Sequence, residues 1–193
     1  KQDRTVIAWG ADESGGDIEA AEAAQLYGVT SIAHTNAAFA AIREGGAVVT
    51  WGKAKDGGDS AAIQNYLVGI ERVFANAVAF AAVNGRGFVR ATWGVPDAGG
   101  TIPPAAVGVL EAKPVATVAS ALYAFAALLE DGSVQAWGWE DGGGLIPAAT
   151  APLLARRRPL APLHPPPRAR PRARRTPSHT PTLPSTHTHP LTP

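Results

Sequence analysis

Short apolar runs separated by glycine-bearing turns recur along most of the chain. Ala124-Phe125-Ala126-Ala127-Leu128-Leu129 is followed by Glu130-Asp131-Gly132-Ser133 and then by Val134-Gln135-Ala136-Trp137. Two strand-like runs joined by Asp-Gly predict a hairpin closed by a tight primed turn, which requires positive φ. Glu44-Gly45-Gly46 and Asn84-Gly85-Arg86-Gly87 hold the equivalent turns. A V-x-x-I-like step precedes each hairpin (Val29/Ile32, Ile70/Val73, Val115/Val118) and predicts a third strand. Taken alone, Val118 to Leu129 has the length and apolarity of a buried helix. Its alignment with Ile32 to Ile42 makes it two strands. Ser60 to Leu67 predicts a short helical turn capped by Ser60. At the same place in the next unit, Ile102-Pro103-Pro104 permits an extended or first-turn conformation.

These patterns belong to an internal repeat. Trp-Gly stands at Trp9-Gly10, Trp51-Gly52, Trp93-Gly94 and Trp137-Gly138, at spacings of 42, 42 and 44. A Gly-Gly pair follows each: Gly15-Gly16, Gly57-Gly58, Gly99-Gly100 and Gly142-Gly143. Three of the four Trp are preceded by Ala-Phe-Ala-Ala, with Phe39, Phe80 and Phe125 lying 12, 13 and 12 residues before their Trp. Three or four short strands about every 42 residues, punctuated by Gly, predict an all-β propeller or solenoid. The recurrent Trp and Phe are expected to pack between units, each ring burying ~150–250 Å².

Charge divides the chain. Residues 1–150 hold all 16 Asp and Glu against nine Lys and Arg, whereas residues 151–193 hold eight Arg and no acid. The second stretch also carries 12 of the 17 Pro and no Gly or aromatic residue, a composition that predicts a disordered, basic tail rather than a core. Its Arg156-Arg157-Arg158 and Arg168 to Arg175 runs, with Arg172, Arg174 and Arg175, would contact phosphates or serve nuclear import. Arg156-x-x-Pro159-x-x-Pro162 fits an SH3-ligand pattern. A low-complexity or out-of-frame tail is an equally open reading.

Other classes fall away on composition. There is no Cys, which excludes a disulfide framework, a thiol nucleophile and a Cys-ligated zinc. No phosphate loop, Gly-x-Ser-x-Gly or dinucleotide fingerprint is present, and His34 alone makes no triad, so no catalytic residue, cofactor or metal is expected. The apolar stretch Val115 to Leu129 falls short of the ~18–20 residues that span a bilayer, so no membrane partner is expected. With no Met, the sequence reads as a processed chain or a fragment.

The string V-x-x-I-A-x-x-x-x-A-F-A-A-L-x-x-D-G-x-V-x-x-W-G-x-x-x-x-G-G resembles the regulator-of-chromosome-condensation (RCC) repeat. In its shorter period, and in Trp93-Gly94…Gly99-Gly100-Thr101-Ile102-Pro103, it is closer to the β-lactamase-inhibitory propellers of that superfamily. The resemblance covers roughly residues 5–150. It implies a partial β-propeller of about three and a half RCC-like blades. Ala38, Ala79 and Ala124 stand where the family usually has His, and Gly-Gly-Asp-Ser or similar replaces Gly-Gln-Leu-Gly. Closed propellers need about 4–8 blades, so open blade edges predict self-association, a missing remainder or instability. In the family such propellers serve in nucleotide-exchange factors, ubiquitin-ligase regulatory regions and enzyme inhibitors.

The loops after Trp-Gly are acidic and carry the candidate partner-binding residues: Asp12, Glu13, Asp56, Asp59, Asp97, Glu140 and Asp141, with Trp139 as a contact residue outside the repeat. The expectation is a non-enzymatic repeat scaffold that binds protein partners through these loops. The alternatives are nucleic-acid or chromatin association through the Arg-rich tail, and a carbohydrate-binding surface module. Compartment is not readable from the chain.

Overall fold

Each repeat folds as three antiparallel strands, and the register shows why Phe and Trp keep their spacing. In this computed structural model, which describes residues 4–154, sheet 1 comprises β1 (Val29–His34), β2 (Ala38–Arg43) and β3 (Val48–Gly52). Sheet 2 comprises β4 (Ile70–Ala75), β5 (Ala79–Asn84) and β6 (Val89–Gly94), and sheet 3 comprises β7 (Val115–Ser120), β8 (Ala124–Leu129) and β9 (Val134–Gly138). The middle strand lies directly against the Trp strand, pairing Phe39 with Trp51, Phe80 with Trp93 and Phe125 with Trp137. The rings stack at centroid separations of 5.1, 5.0 and 5.3 Å. The extra residue between Phe80 and Trp93 is absorbed by a register shift between β5 and β6, so the stacked pair is kept despite the longer spacing.

A second irregularity repeats. The first strand shifts register against the second between Val29 and Ser31, between Ile70 and Arg72, and between Val115 and Thr117. The V-x-x-I step therefore contains one bulge, which is why its two apolar positions are three apart rather than two. The hairpin turns differ from the tight primed form. The Leu129 N–H bonds to the Ser133 carbonyl and the Gly132 N–H to the Leu129 carbonyl. Gly132 adopts a φ of 84°, while Asp131 does not enter the left-handed region. In this turn one left-handed glycine closes a longer loop, as in three-residue hairpins, whereas the first turn uses two, Gly45 and Gly46, with φ of 87° and 81°.

The loop after each Trp-Gly pair forms the same small cage, four times in all. In the first, Ser14 and Gly16 donate to the Ala11 carbonyl and Gly15 to that of Asp12. Asp56, Gly58 and Gly57 repeat this on Lys53 and Ala54; Ala98, Gly100 and Gly99 repeat it on Val95 and Pro96; and Gly142, Gly144 and Gly143 repeat it on Trp139 and Glu140. The fourth cage thus corrects the sequence alignment: its Gly-Gly pair is Gly143-Gly144, not Gly142-Gly143. Gly143 has the left-handed φ of 97°, and a Cβ on Gly144 would sit 2.2 Å from the Gly138 carbonyl oxygen. Three consecutive glycines concealed the register.

The next repeat locks onto each cage. The indole N–H groups of Trp51, Trp93 and Trp137 donate to the carbonyls of Gly15, Gly57 and Gly99 at 3.2, 2.9 and 3.2 Å. A Cβ at Gly57 would come within 2.5 Å of the Phe80 ring, so only glycine admits the stacked pair. Backbone bonds add to the junction: Asn36 N–H to Ala77 and Ala77 N–H to Leu122 on one side, and Ile70 N–H to Gly46 and Val115 N–H to Gly87 on the other. Trp9 departs from the expected packing. It precedes sheet 1, forms no strand and is 85% exposed.

Connections between sheets vary. Ala61–Tyr66 is a 3-10 turn whose first N–H bonds to Asp59 Oδ1 rather than to Ser60. In the next unit a true helix, α2 (Pro104–Ala112), occupies this place, with α1 (Ala20–Ala23) earlier in the chain. Pro104 sits in the first turn of α2, where its missing N–H is harmless, and Ala106 and Leu110 bury against sheets 2 and 3. A last short helix, α3 (Ala151–Leu154), continues beyond residue 150.

Two outcomes follow. Trp93→Phe keeps the ring but leaves the Gly57 carbonyl without its donor, so it should cost about 1–3 kcal/mol. Trp93→Ala should cost about 3–5 kcal/mol, both measured by urea unfolding. At the surface, Lys113, 2.7 Å away, and then Ser133 hold the Asp131 carboxyl well below the usual carboxylate range. Because its folded pKa is depressed, ionised Asp131 adds stability above its ordinary pKa of about 4, and that stability is lost as pH falls through the folded value. Asp131→Asn should therefore melt slightly below the unaltered chain at pH 7, and the gap should close in strong acid.

Candidate interaction surface

Strand pairing sets which loops share one end of the sheets. Ala38 pairs with Gly52, Ala79 with Gly94 and Ala124 with Gly138, so the Trp-Gly loops emerge beside the turn that joins the first two strands. That turn is tied to the loop by a side chain the sequence reading overlooked. Thr35 Oγ1 accepts from the Ala38 N–H at 3.0 Å and donates to the Asp56 carbonyl at 3.2 Å. Asn76 does both tasks in sheet 2, accepting from Ala79 N–H at 2.8 Å and donating to the Ala98 carbonyl at 2.6 Å. The signal was present three residues before the first two Ala-Phe-Ala-Ala blocks, where a small polar residue favours a turn. Ala121 holds the place in the third repeat and lacks the tie.

The first two loops, with α1 and β3, enclose an acidic groove of about 710 Å³. Its walls carry Asp12, Asp17, Glu19, Glu22 and Asp59, and no Lys, Arg or His lines it. Of the expected partner-binding residues, Asp12 and Asp59 meet here; Glu13, Asp97, Trp139, Glu140 and Asp141 are not among its walls. Asp17 and Asp59 each accept a backbone N–H, from Ile18 and Ala61, through Oδ1 at 2.9 Å. Those bonds orient both carboxylates. The floor is polar and tightly joined, with Ser60 Oγ 2.8 Å from Thr50 Oγ1 and accepting from Gln64 Nε2 at 2.7 Å. Glu22 Oε2 is buried without a hydrogen-bond partner among the described residues. Glu19 and Glu22 precede the repeat proper, and alignment of the Trp-Gly loops alone could not bring them to this place.

Asp56 is a correction. It was expected to face solvent on the loop, yet it is only 4% exposed, with Oδ2 3.3 Å from the Lys53 ammonium. Its position within the cage is the one Ser14, Ala98 and Gly142 fill; Ala98 is buried there as well, whereas Ser14 is exposed. Trp139 stands at the first position of its cage, where the others have Ala11, Lys53 and Val95. It is therefore part of the repeat, and its half-exposed ring meets Tyr123 edge-on at 5.9 Å. His34 is exposed, with Nδ1 3.0 Å from the Thr35 carbonyl.

A smaller hollow of about 350 Å³ opens at the other end, beside the Asn84 to Phe88 turn, and carries Arg86 and Arg90 with Tyr66 and Glu111. Among the described residues, no group of three or more His, Asp or Glu could hold a metal ion, and no helix is long and apolar enough to cross a membrane. The Arg156–Arg158, Pro159, Pro162, Arg172, Arg174 and Arg175 candidates lie outside the described residues.

No family model and no curated protein matches the chain. Among solved structures, the crystal structure of human WBSCR16 is similar at 20% identity with a TM-score of 0.39. The match covers 57% of this chain and 34% of WBSCR16, so the chain spans about a third of that protein's length.

The Asn76 tie gives a direct test. Asn76→Ala should cost about 1–3 kcal/mol by stranding a buried carbonyl and N–H. Asn76→Thr should recover part of it, because Thr35 performs the same two bonds in sheet 1; thermal unfolding reads both.

Proposed function

We propose that the chain is a non-catalytic scaffold of RCC type, its sheets the blades of a partial β-propeller, and that it binds a cationic segment of a partner protein in the acidic groove. The observation that carries this reading is the groove's lining: five carboxylates, two of them oriented by backbone N–H groups, and no cation. Five like charges around one hollow repel one another, and a Lys- or Arg-bearing peptide relieves that repulsion while matching their geometry. Specific recognition on such a scaffold falls to loops, because the strands and cages are committed to packing.

The test is titration of the full chain with a Lys/Arg-rich peptide, a charge-matched acidic peptide and duplex DNA. The groove reading expects the basic peptide alone to compete for it. Glu19→Gln/Glu22→Gln/Asp59→Asn should weaken that binding about tenfold or more, or ~1.4 kcal/mol, and added salt should weaken it too. Equal affinity of the triple variant for the basic peptide would refute the groove. DNA binding that is untouched by the triple variant would instead favour the Arg-rich tail as the working part.

A further inference from the structure

Each sheet offers the next repeat the same apolar side. On sheet 1 it is Ala38, Ala40, Ile42 and Val48, covered by Phe80, Ala82 and Trp93 of sheet 2. On sheet 2 it is Ala79, Ala81, Val83 and Val89, covered by Phe125, Ala127 and Trp137 of sheet 3. Ala40 and Ala81 are fully buried by this contact. Sheet 3 carries the matching set, Ala124, Ala126, Leu128 and Val134, yet Ala126, Leu128 and Val134 are only half-buried. At the end of this face stands the fourth cage. No described residue donates to the Gly143 carbonyl, and a Cβ there would meet nothing within 4 Å, where Gly15, Gly57 and Gly99 each face a Phe ring. An apolar face and its acceptor are in place, and among the described residues none supplies the indole that completes the other three junctions.

The same molecule has an indole, that of Trp9, with no acceptor among the described residues. Trp9 is 85% exposed and Ile7, two residues earlier, is 63% exposed, whereas Val6 and Ala8 are half-buried. Trp9 is nevertheless followed by a complete cage, with the hydrogen bonds found after Trp51, Trp93 and Trp137. Gly10 has a φ of 120°, close to the 96°, 106° and 113° of Gly52, Gly94 and Gly138. Trp9 therefore leaves its cage as the other three Trp leave theirs.

We propose that a second copy of this chain binds head-to-tail, the Ile7–Trp9 segment of one copy covering the outer side of sheet 3 of the other, with the Trp9 indole N–H donating to the Gly143 carbonyl. The contact repeats the Trp51–Gly15, Trp93–Gly57 and Trp137–Gly99 junctions between chains instead of within one. It is a heterologous contact, so two copies close a ring if the rotation permits and more copies form an open assembly if it does not. It is independent of what the acidic groove binds.

The experiment is sedimentation and light scattering of the full chain over a wide concentration range, with Trp9→Ala and, as a control, Tyr66→Ala, another exposed aromatic. Wild type and Tyr66→Ala should gain mass with concentration. Trp9→Ala should need about tenfold more protein to do so, with an unchanged melting temperature, because an exposed side chain holds little of the monomer together. Wild type that stays a single copy throughout overturns the proposal, as does Trp9→Ala that assembles like wild type. Assembly that vanishes at high salt and ignores Trp9→Ala would come from charge attraction between copies; it too overturns the proposal and leaves the groove reading standing.

Discussion

Everything in this structure hangs on an indole N–H that reaches back to a glycine carbonyl one repeat earlier. Trp51, Trp93 and Trp137 each make this bond while stacked on the Phe of the neighbouring strand. The geometry is demanding at both ends. The acceptor must be left-handed and free of a Cβ, and the donor must be a large flat ring whose one polar atom finds a partner when buried. No pair of residues other than Gly and Trp meets both demands, and this is the physical origin of the Trp-Gly and Gly-Gly period.

Because each repeat contacts only its neighbours, the molecule behaves as a one-dimensional stack whose ends need separate treatment. On the near side of sheet 1, Val6, Ile18 and Leu26 cover Ala41, Val49 and Trp51. The Arg4 carbonyl takes the Val29 N–H, the bond that Gly46 and Gly87 supply to Ile70 and Val115 elsewhere. The segment ahead of sheet 1 thus imitates the turn and cage of a preceding repeat. Among the described residues, the outer side of sheet 3 has no equivalent cover over Leu128 and Val134, which are only half-buried, and this asymmetry between the two sides is what makes the proposed directional contact between copies chemically sensible.

The cages that join the repeats also carry the charge. Within each, the glycines and backbone bonds are constrained, and the positions between them are free to differ: Asp12-Glu13, Lys55-Asp56, Asp97 and Glu140-Asp141. Packing claims one of these, since Asp56 turns inward with Lys53 beside it. The acidic groove draws only Asp12 and Asp59 from the loop candidates, takes Glu19, Glu22, Ser60 and Gln64 from connecting segments, and takes Thr50 from β3. The proposed recognition surface is therefore built where the repeats are least alike.

The sequence by itself determined the three-stranded repeat, its four Trp-Gly landmarks and the near-constant Phe-to-Trp spacing, because strand alternation, turn glycines and large aromatics are local requirements that each unit restates. That each Phe stacks on its own Trp came from the strand register. It also showed which residues are acidic. Three matters were decided only by tertiary structure. Gly143-Gly144, not Gly142-Gly143, forms the fourth cage, since a run of three glycines has no register until hydrogen bonds choose one. Trp9 is exposed although it carries the same motif as its buried counterparts, since burial of a Trp depends on the neighbouring repeat rather than on its own. Glu19 and Glu22 join Asp12 and Asp59 around one groove, since proximity across connections of irregular length is written in no period.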